Sequence, residues 1–223
     1  MTARALLITG TDTGVGKTLV GCALAFAAKA RGLRVGVMKP AETGCAELNG
    51  ELAPADAQAL LCAASSALAL DLVCPYRYPS PLAPARAAEA DGLEPPDPER
   101  IERCFRAIAS ESDLVIVEGA GGIAVPLTWR CNYADLALRL GLEAVLVVGN
   151  RLGCLNAAFL SVSYMRARSL RLRGVVLSDL EPTATPATVT NADALVRMID
   201  APYVGRIRHK EPVSRAIIEA LLG

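Results

Sequence analysis

Short, continuously apolar runs alternate with longer stretches of helical periodicity along the whole chain. Ala5–Thr9, Arg34–Met38, Leu114–Glu118, Ala144–Gly149, Leu172–Ser178 and Tyr203–Ile207 read as strands. Between them the apolar spacing predicts helices over Lys17–Arg31, Ala55–Ala67, Pro98–Ser110, Asn132–Leu140, Leu155–Ser169, Thr188–Ile199 and Val213–Leu221. Runs such as Leu-Val-Ile-Val-Glu-Gly and Ala-Val-Leu-Val-Val-Gly-Asn are apolar at successive positions, so both faces of the pleat expect cover. Strand–helix alternation over 223 residues therefore predicts one α/β domain, three-layer α/β/α with a mostly parallel central sheet. The proline-rich stretch Pro75–Pro98 is the one long segment without a periodic pattern. It reads as a surface excursion of that domain, because no second domain of useful size flanks it.

Charge alters this picture little. The 23 acidic and 23 basic residues cancel, so no net field selects nucleic acid or an anionic membrane surface. No apolar run reaches the roughly 18 residues that a membrane span needs, and the opening Met-Thr-Ala-Arg-Ala-Leu-Leu-Ile has no signal-peptide anatomy. The seven cysteines form no Cys-x-x-Cys pair, so zinc ligation is not expected. Free thiols in apolar settings suit a reducing compartment, and the chain is expected to be cytoplasmic.

The candidate chemistry starts where the first strand ends. Ile-Thr-Gly-Thr-Asp-Thr-Gly-Val-Gly-Lys-Thr (Ile8–Thr18) has the strand, glycine turn and helix of a P-loop, but the usual first glycine position falls on Thr11 and Gly10 sits one residue too early. In such a turn successive backbone N–H groups converge on an anion, and the helix N-terminus adds its positive dipole end. Lys17 then reaches the outer phosphates and the Thr18 hydroxyl ligates Mg²⁺. Only four residues are lysine, and Lys17 and Lys39 are two of them. With arginine serving as the ordinary basic residue, a compact ammonium at these places suggests a role as a point charge. Glu118 ends an apolar strand and Asp56 opens a helix, so either can supply a metal carboxylate at the end of the sheet where α/β proteins bind ligands. On spacing alone Asp56 fits equally well as a helix-capping residue.

Four motifs in order, Gly-Thr-Asp-Thr-Gly-Val-Gly-Lys-Thr, Met-Lys-Pro-Ala-Glu-Thr-Gly, Val-Glu-Gly-Ala-Gly-Gly and Val-Val-Gly-Asn-Arg-Leu-Gly-Cys-Leu-Asn-Ala-Ala, resemble those of the dethiobiotin synthase family, from residue 2 to about residue 210. That family carries five residues between its two P-loop glycines, as here between Gly10 and Gly16. The resemblance implies a P-loop NTPase-type fold and an ATP-dependent ligase. It joins CO₂ or bicarbonate to 7,8-diaminononanoate through a carbamate and its phosphorylated form, closing the ring of dethiobiotin. It further implies that Lys17 and Lys39 are catalytic, and that Thr18, Asp56 and Glu118 gather Mg²⁺. Thr13, Gly14, Val15, Gly16, Lys17, Thr18, Leu19, Asp56, Glu118, Gly119, Ala120, Gly121, Ser178, Asp179 and Arg208 would meet the nucleotide. Thr11, Lys39, Thr43, Gly153 and Asn156 would meet the substrate, the last two across a homodimer interface. Three departures stand out. Ser178 replaces the asparagine that reads adenine in the family, which points to weaker base discrimination. Asn191 lies near where some members place a tyrosine, and Gly205-Arg-Ile-Arg208 replaces a common Gly-x-Ile-Pro.

Two other readings compete. Partition and septum-positioning ATPases share the P-loop and fold, but usually start the loop with a further lysine where this chain has Thr11-Asp12-Thr13. A binding module with a dead ATP site fits poorly with intact Lys17, Thr18 and Glu118. His209, the only histidine, lies in a basic loop far in sequence from these motifs and reads as a surface or nucleotide-edge residue, and Trp129 and Arg130 read as cover for the Gly119–Gly122 loop.

Overall fold

The computed structural model describes residues 3–223. Six strands, β1 (Arg4–Gly10), β2 (Val35–Met38), β3 (Leu114–Gly122), β4 (Glu143–Asn150), β5 (Leu172–Asp179) and β6 (Tyr203–Ile207), form one parallel sheet in the order β6-β5-β4-β1-β3-β2. Every residue of β4 from Ala144 to Asn150 is buried. Successive side chains point to opposite faces of a strand, so this sheet is covered on both sides. The expected three-layer arrangement follows, with β1 at the centre of the strand order.

Nine helices lie among the described residues: α1 (Lys17–Ala30), α2 (Ala55–Ala63), α3 (Leu70–Val73), α4 (Pro84–Asp91), α5 (Pro98–Ser110), α6 (Tyr133–Leu140), α7 (Cys154–Ala167), α8 (Pro186–Met198) and α9 (Arg215–Leu222). Four are started by their own N-cap side chains. Asp97 caps α5, Asn132 and Asp135 form a capping box on α6, Thr185 and Thr188 do so on α8, and Ser214 caps α9. Among the five without such a cap, α1 and α7 stand apart, since each begins at a glycine in the left-handed region, Gly16 and Gly153. None of the described helices is long and apolar enough to cross a membrane.

Two expectations need correction. The helix expected over Ala55–Ala67 ends at Ala63, where Ser65 adopts a left-handed φ of 47° and breaks the run. The segment Pro75–Pro98 is not irregular. Tyr76–Tyr78 pairs in parallel with a short strand at Ala41–Thr43, and α4 follows it with Ala85, Ala87 and Ala88 buried. A three-residue strand is too short to show a period, and Pro84 starts α4 as its first residue, where a missing N–H costs nothing. The Tyr78 hydroxyl, donated to the Glu94 carbonyl at 2.7 Å, ties the segment to itself.

Candidate active site

Strand register builds the site. Ile8 lies opposite Glu118, and Met38 opposite Val117, so Lys39 and Glu118 leave the sheet side by side next to the loop that follows β1. That loop is pinned into the core by Val15, which is 1% exposed. A methyl group on Gly10 would stand 2.6 Å from Val15 Cγ2, so this position has room only for glycine. The early glycine thus follows from a loop that buries its own valine. Gly16 takes a φ of 95° and turns the chain into α1, leaving the first-turn N–H groups without a side-chain cap. Lys17 folds back over the loop and donates to the Asp12 carbonyl at 2.9 Å.

A cavity of about 380 Å³ opens above this loop and is lined by Thr13, Gly14, Gly16, Lys17, Thr18, Lys39, Glu42, Thr43, Asp56, Glu118, Ala120 and Gly121. At its floor the Lys39 ammonium donates to Asp56 Oδ2 at 2.7 Å and to Glu118 Oε1 at 2.6 Å. Burial alone would lower the Lys39 pKa. The Glu118 and Asp56 carboxylates outweigh it and raise the pKa, so Lys39 is a cation. Lys17 shifts the other way, lowered by burial and by the nearby Lys39. Asp56 is lowered because Lys39 and Thr18 overcome its burial, whereas burial dominates at Glu118 and pushes it up. Thr18 Oγ1 stands 2.9 Å from Asp56 Oδ1 and 3.0 Å from Glu118 Oε1. A hydroxyl and two carboxylates that converge in this way are the hard oxygen donors that Mg²⁺ prefers. Glu118 Oε2, buried and without a partner, is a further acceptor there.

Other expected residues fall elsewhere. Val15 and Gly119 can offer only backbone, since Val15 is core and Gly119 lies under the Tyr133 ring, 3.3 Å from where a Cβ would be. Leu19 is partly exposed on α1. Asp179 and Arg208 line a second cavity of about 380 Å³ together with Asn150, Thr185 and Arg206. The Asp179 carboxylate accepts from Asn150 at 2.6 Å and from Arg206 at 2.9 Å. Ser178 lines neither cavity. It is 5% exposed, and a methyl group at Gly16 would stand 3.1 Å from its hydroxyl. Thr11 lines a third hollow of about 640 Å³, an apolar groove with Ile123, Val125, Leu160 and Tyr164. Gly153 and Asn156 lie exposed at the start of α7, outside all three.

Asn191, the departure on α8, points into the fold. It is 4% exposed and donates to Asn150 Oδ1 at 2.8 Å, tying α8 to the end of β4. Trp129 does not cover the Gly119–Gly122 loop either; its indole donates to Glu89 on α4 at 2.5 Å. The residue that sequence reasoning missed is Glu42. It lies inside a quoted motif, but its role depends on α2, which no spacing connects to it.

A family model described as "AAA domain" matches residues 4–216. The ATP-dependent dethiobiotin synthetase BioD of Aromatoleum aromaticum is 42% identical over 219 residues, covering 98% of this chain and 96% of that one. The protein of the same description from Anaeromyxobacter dehalogenans strain 2CP-C is 42% identical over 211 residues, 95% of this chain and 88% of that one. Among solved structures, the septum site-determining protein MinD of Pyrococcus horikoshii, complexed with Mg-ADP, aligns at a TM-score of 0.57 with 18% identity, covering 99% of this chain and 87% of that one. At that identity the likeness is one of fold alone.

Proposed function

The chain belongs to the ATP-dependent dethiobiotin synthetase family, and from this premise we propose that it is the ligase that joins CO₂ to 7,8-diaminononanoate at the expense of ATP. The observation that carries the reading is the Lys39 ammonium, buried at the floor of the P-loop cavity and bordered by both metal carboxylates and Thr43. One substrate amine adds to CO₂ and loses a proton, giving a carbamate anion. A carbamate oxygen attacks the γ-phosphorus and ADP leaves. The second amine then attacks the carbamoyl carbon, the C–O bond to phosphate breaks, the nitrogen loses its proton, and the ring is closed with release of inorganic phosphate. No step needs a covalent nucleophile from the protein. What the chemistry requires is two anions held close together and neutralised, which positioned cations supply.

In this reading the backbone of Gly14 to Thr18 and the Lys17 ammonium hold the β- and γ-phosphates, while Lys39 stabilises the carbamate and its phosphorylated form. Thr18, Asp56 and Glu118 would hold Mg²⁺, which neutralises phosphate oxygens when bound. The apolar groove beside Thr11 suits the aliphatic chain of the diamine. Leu152, Phe159 and Leu160 are 87%, 47% and 57% exposed around the start of α7, which supports a homodimer formed across this face. A second copy there would bring its Gly153–Asn156 turn to the groove; the Cys154 N–H is donated to the Arg151 carbonyl, which leaves those of Leu155 and Asn156 to suit the substrate carboxylate. Leu160→Arg is accordingly expected to elute as a monomer in size-exclusion chromatography and to lose diamine affinity while keeping ATP affinity. All seven cysteines are free thiols, which suits the cytoplasmic location proposed with this activity.

Base selectivity is expected to be loose. With serine at position 178 tucked against Gly16, no asparagine amide offers adenine a paired donor and acceptor. One aligned hydrogen bond is worth about 0.5–1.5 kcal/mol net, so CTP or GTP should support turnover within about an order of magnitude of ATP. Steady-state kinetics with the four triphosphates check this; strict ATP dependence would assign base reading to the backbone around Gly205–Arg208. The reaction itself is tested by mass spectrometry. Label from ¹³C-bicarbonate should enter dethiobiotin formed from the diamine and ATP, and absence of labelled product would overturn the assignment.

A further inference from the structure

Glu42 is a buried carboxylate, 6% exposed, in the wall of the cavity that holds Lys39, Thr43 and Asp56. Its Oε1 accepts the backbone N–H of Asp56 at 2.9 Å and its Oε2 that of Ala57 at 3.0 Å. These are first-turn donors of α2, and that helix has no cap of its own, because Pro54 stands at its N-cap position with no side chain able to accept. Glu42 therefore caps α2 from a different element, the short strand Ala41–Thr43, and its negative charge faces the positive end of the helix. The two bonds latch together two halves of the site. One is the Lys39–Thr43 segment, on the carbamate side. The other is the turn of α2 that carries Asp56, whose Oδ1 reaches Thr18 at 2.9 Å and whose Oδ2 reaches Lys39 at 2.7 Å.

We infer that Glu42 is a positioning residue: by gripping the backbone on either side of the Asp56 Cα, it sets the point from which that carboxylate reaches the metal. The inference rests on the reading of Asp56 as a metal ligand given above. Partners that orient a ligating carboxylate typically change metal affinity 10–100-fold when lost. A residue that only stabilised the fold would lower the melting temperature without acting through Asp56.

The test is Mn²⁺ binding, followed by electron paramagnetic resonance in the presence of a non-hydrolysable ATP analogue, for the wild type, Glu42→Gln, Asp56→Asn and the double variant, with thermal melts in parallel. Glutamine keeps the size of Glu42 but has one acceptor oxygen where two are needed. Mn²⁺ affinity of Glu42→Gln should fall about 10-fold or more, with turnover recovering toward wild type at saturating metal. The double variant should bind no more weakly than Asp56→Asn alone, since both changes act through one carboxylate. Losses that add in the double variant, or normal affinity in Glu42→Gln beside a loss in Asp56→Asn, would overturn the inference and leave the metal assignment standing. Normal affinity in Asp56→Asn would overturn both. Should Glu42→Gln not fold, Glu42→Asp keeps the charge and shortens the reach; an intermediate loss supports the inference and unchanged affinity overturns it.

Discussion

Lys39→Gln is expected to lower dethiobiotin formation by roughly 10²-fold or more, the loss typical of removing one preorganised donor from a developing anion. The ammonium is buried, and its raised pKa keeps it charged throughout the physiological range. It also stands between Asp56 and Glu118, so the substitution has a second consequence. Glu118, 0% exposed, loses its cation. Removing one partner of a buried ion pair costs about 3–5 kcal/mol, an upper bound here because the glutamine amide can still donate to one carboxylate. The variant should therefore melt earlier than the wild type as well as turn over slowly. Binding of an ATP analogue should survive, since Lys17 and the loop backbone are the groups proposed to carry the phosphates. Turnover at saturating nucleotide, measured beside analogue affinity, separates the two effects. Normal turnover would make Lys39 a structural residue.

Lys17→Ala should act on the nucleotide itself. A charge-assisted hydrogen bond is worth about 1.5–3 kcal/mol, so ATP affinity is expected to fall roughly 10–100-fold. The loop should keep its shape better than this number suggests. Lys17 makes one hydrogen bond to it, to the Asp12 carbonyl, whereas Val15 anchors it in the core and Gly16 sets the turn. Isothermal titration with an ATP analogue measures the effect directly. Unchanged affinity would count against Lys17 as the phosphate lysine, even with turnover reduced.

The central strands and the P-loop were legible because their signals are local. A strand buried on both faces is apolar at every position, and a phosphate loop needs glycines, a lysine and a threonine within one turn. Glu118 was found in the same way, as an acid ending an apolar run. Long-range pairing left no such trace. The Ala41–Thr43 strand is three residues long and pairs with a segment beyond Pro75 that looked irregular. With that pairing unseen, nothing linked Glu42 to α2. Asn191 shows the same limit from the other side, because its burial against Asn150 depends on how α8 docks on β4. Ser178 was placed correctly at the end of its strand. The direction of its hydroxyl, toward Gly16 and away from the cavities, is a property of packing that strand position does not determine.

If this P-loop couples ATP cleavage to a carbamate, phosphate release must depend on the other two substrates, and measuring it with and without them decides the matter. With Mg²⁺ and ATP alone the rate should stay near background. Diaminononanoate and bicarbonate together should raise it by orders of magnitude, with one phosphate released per dethiobiotin formed. ATP hydrolysis that runs at full rate without the diamine, as in a nucleotide switch, would show that no carbamate is needed and rule the coupling out.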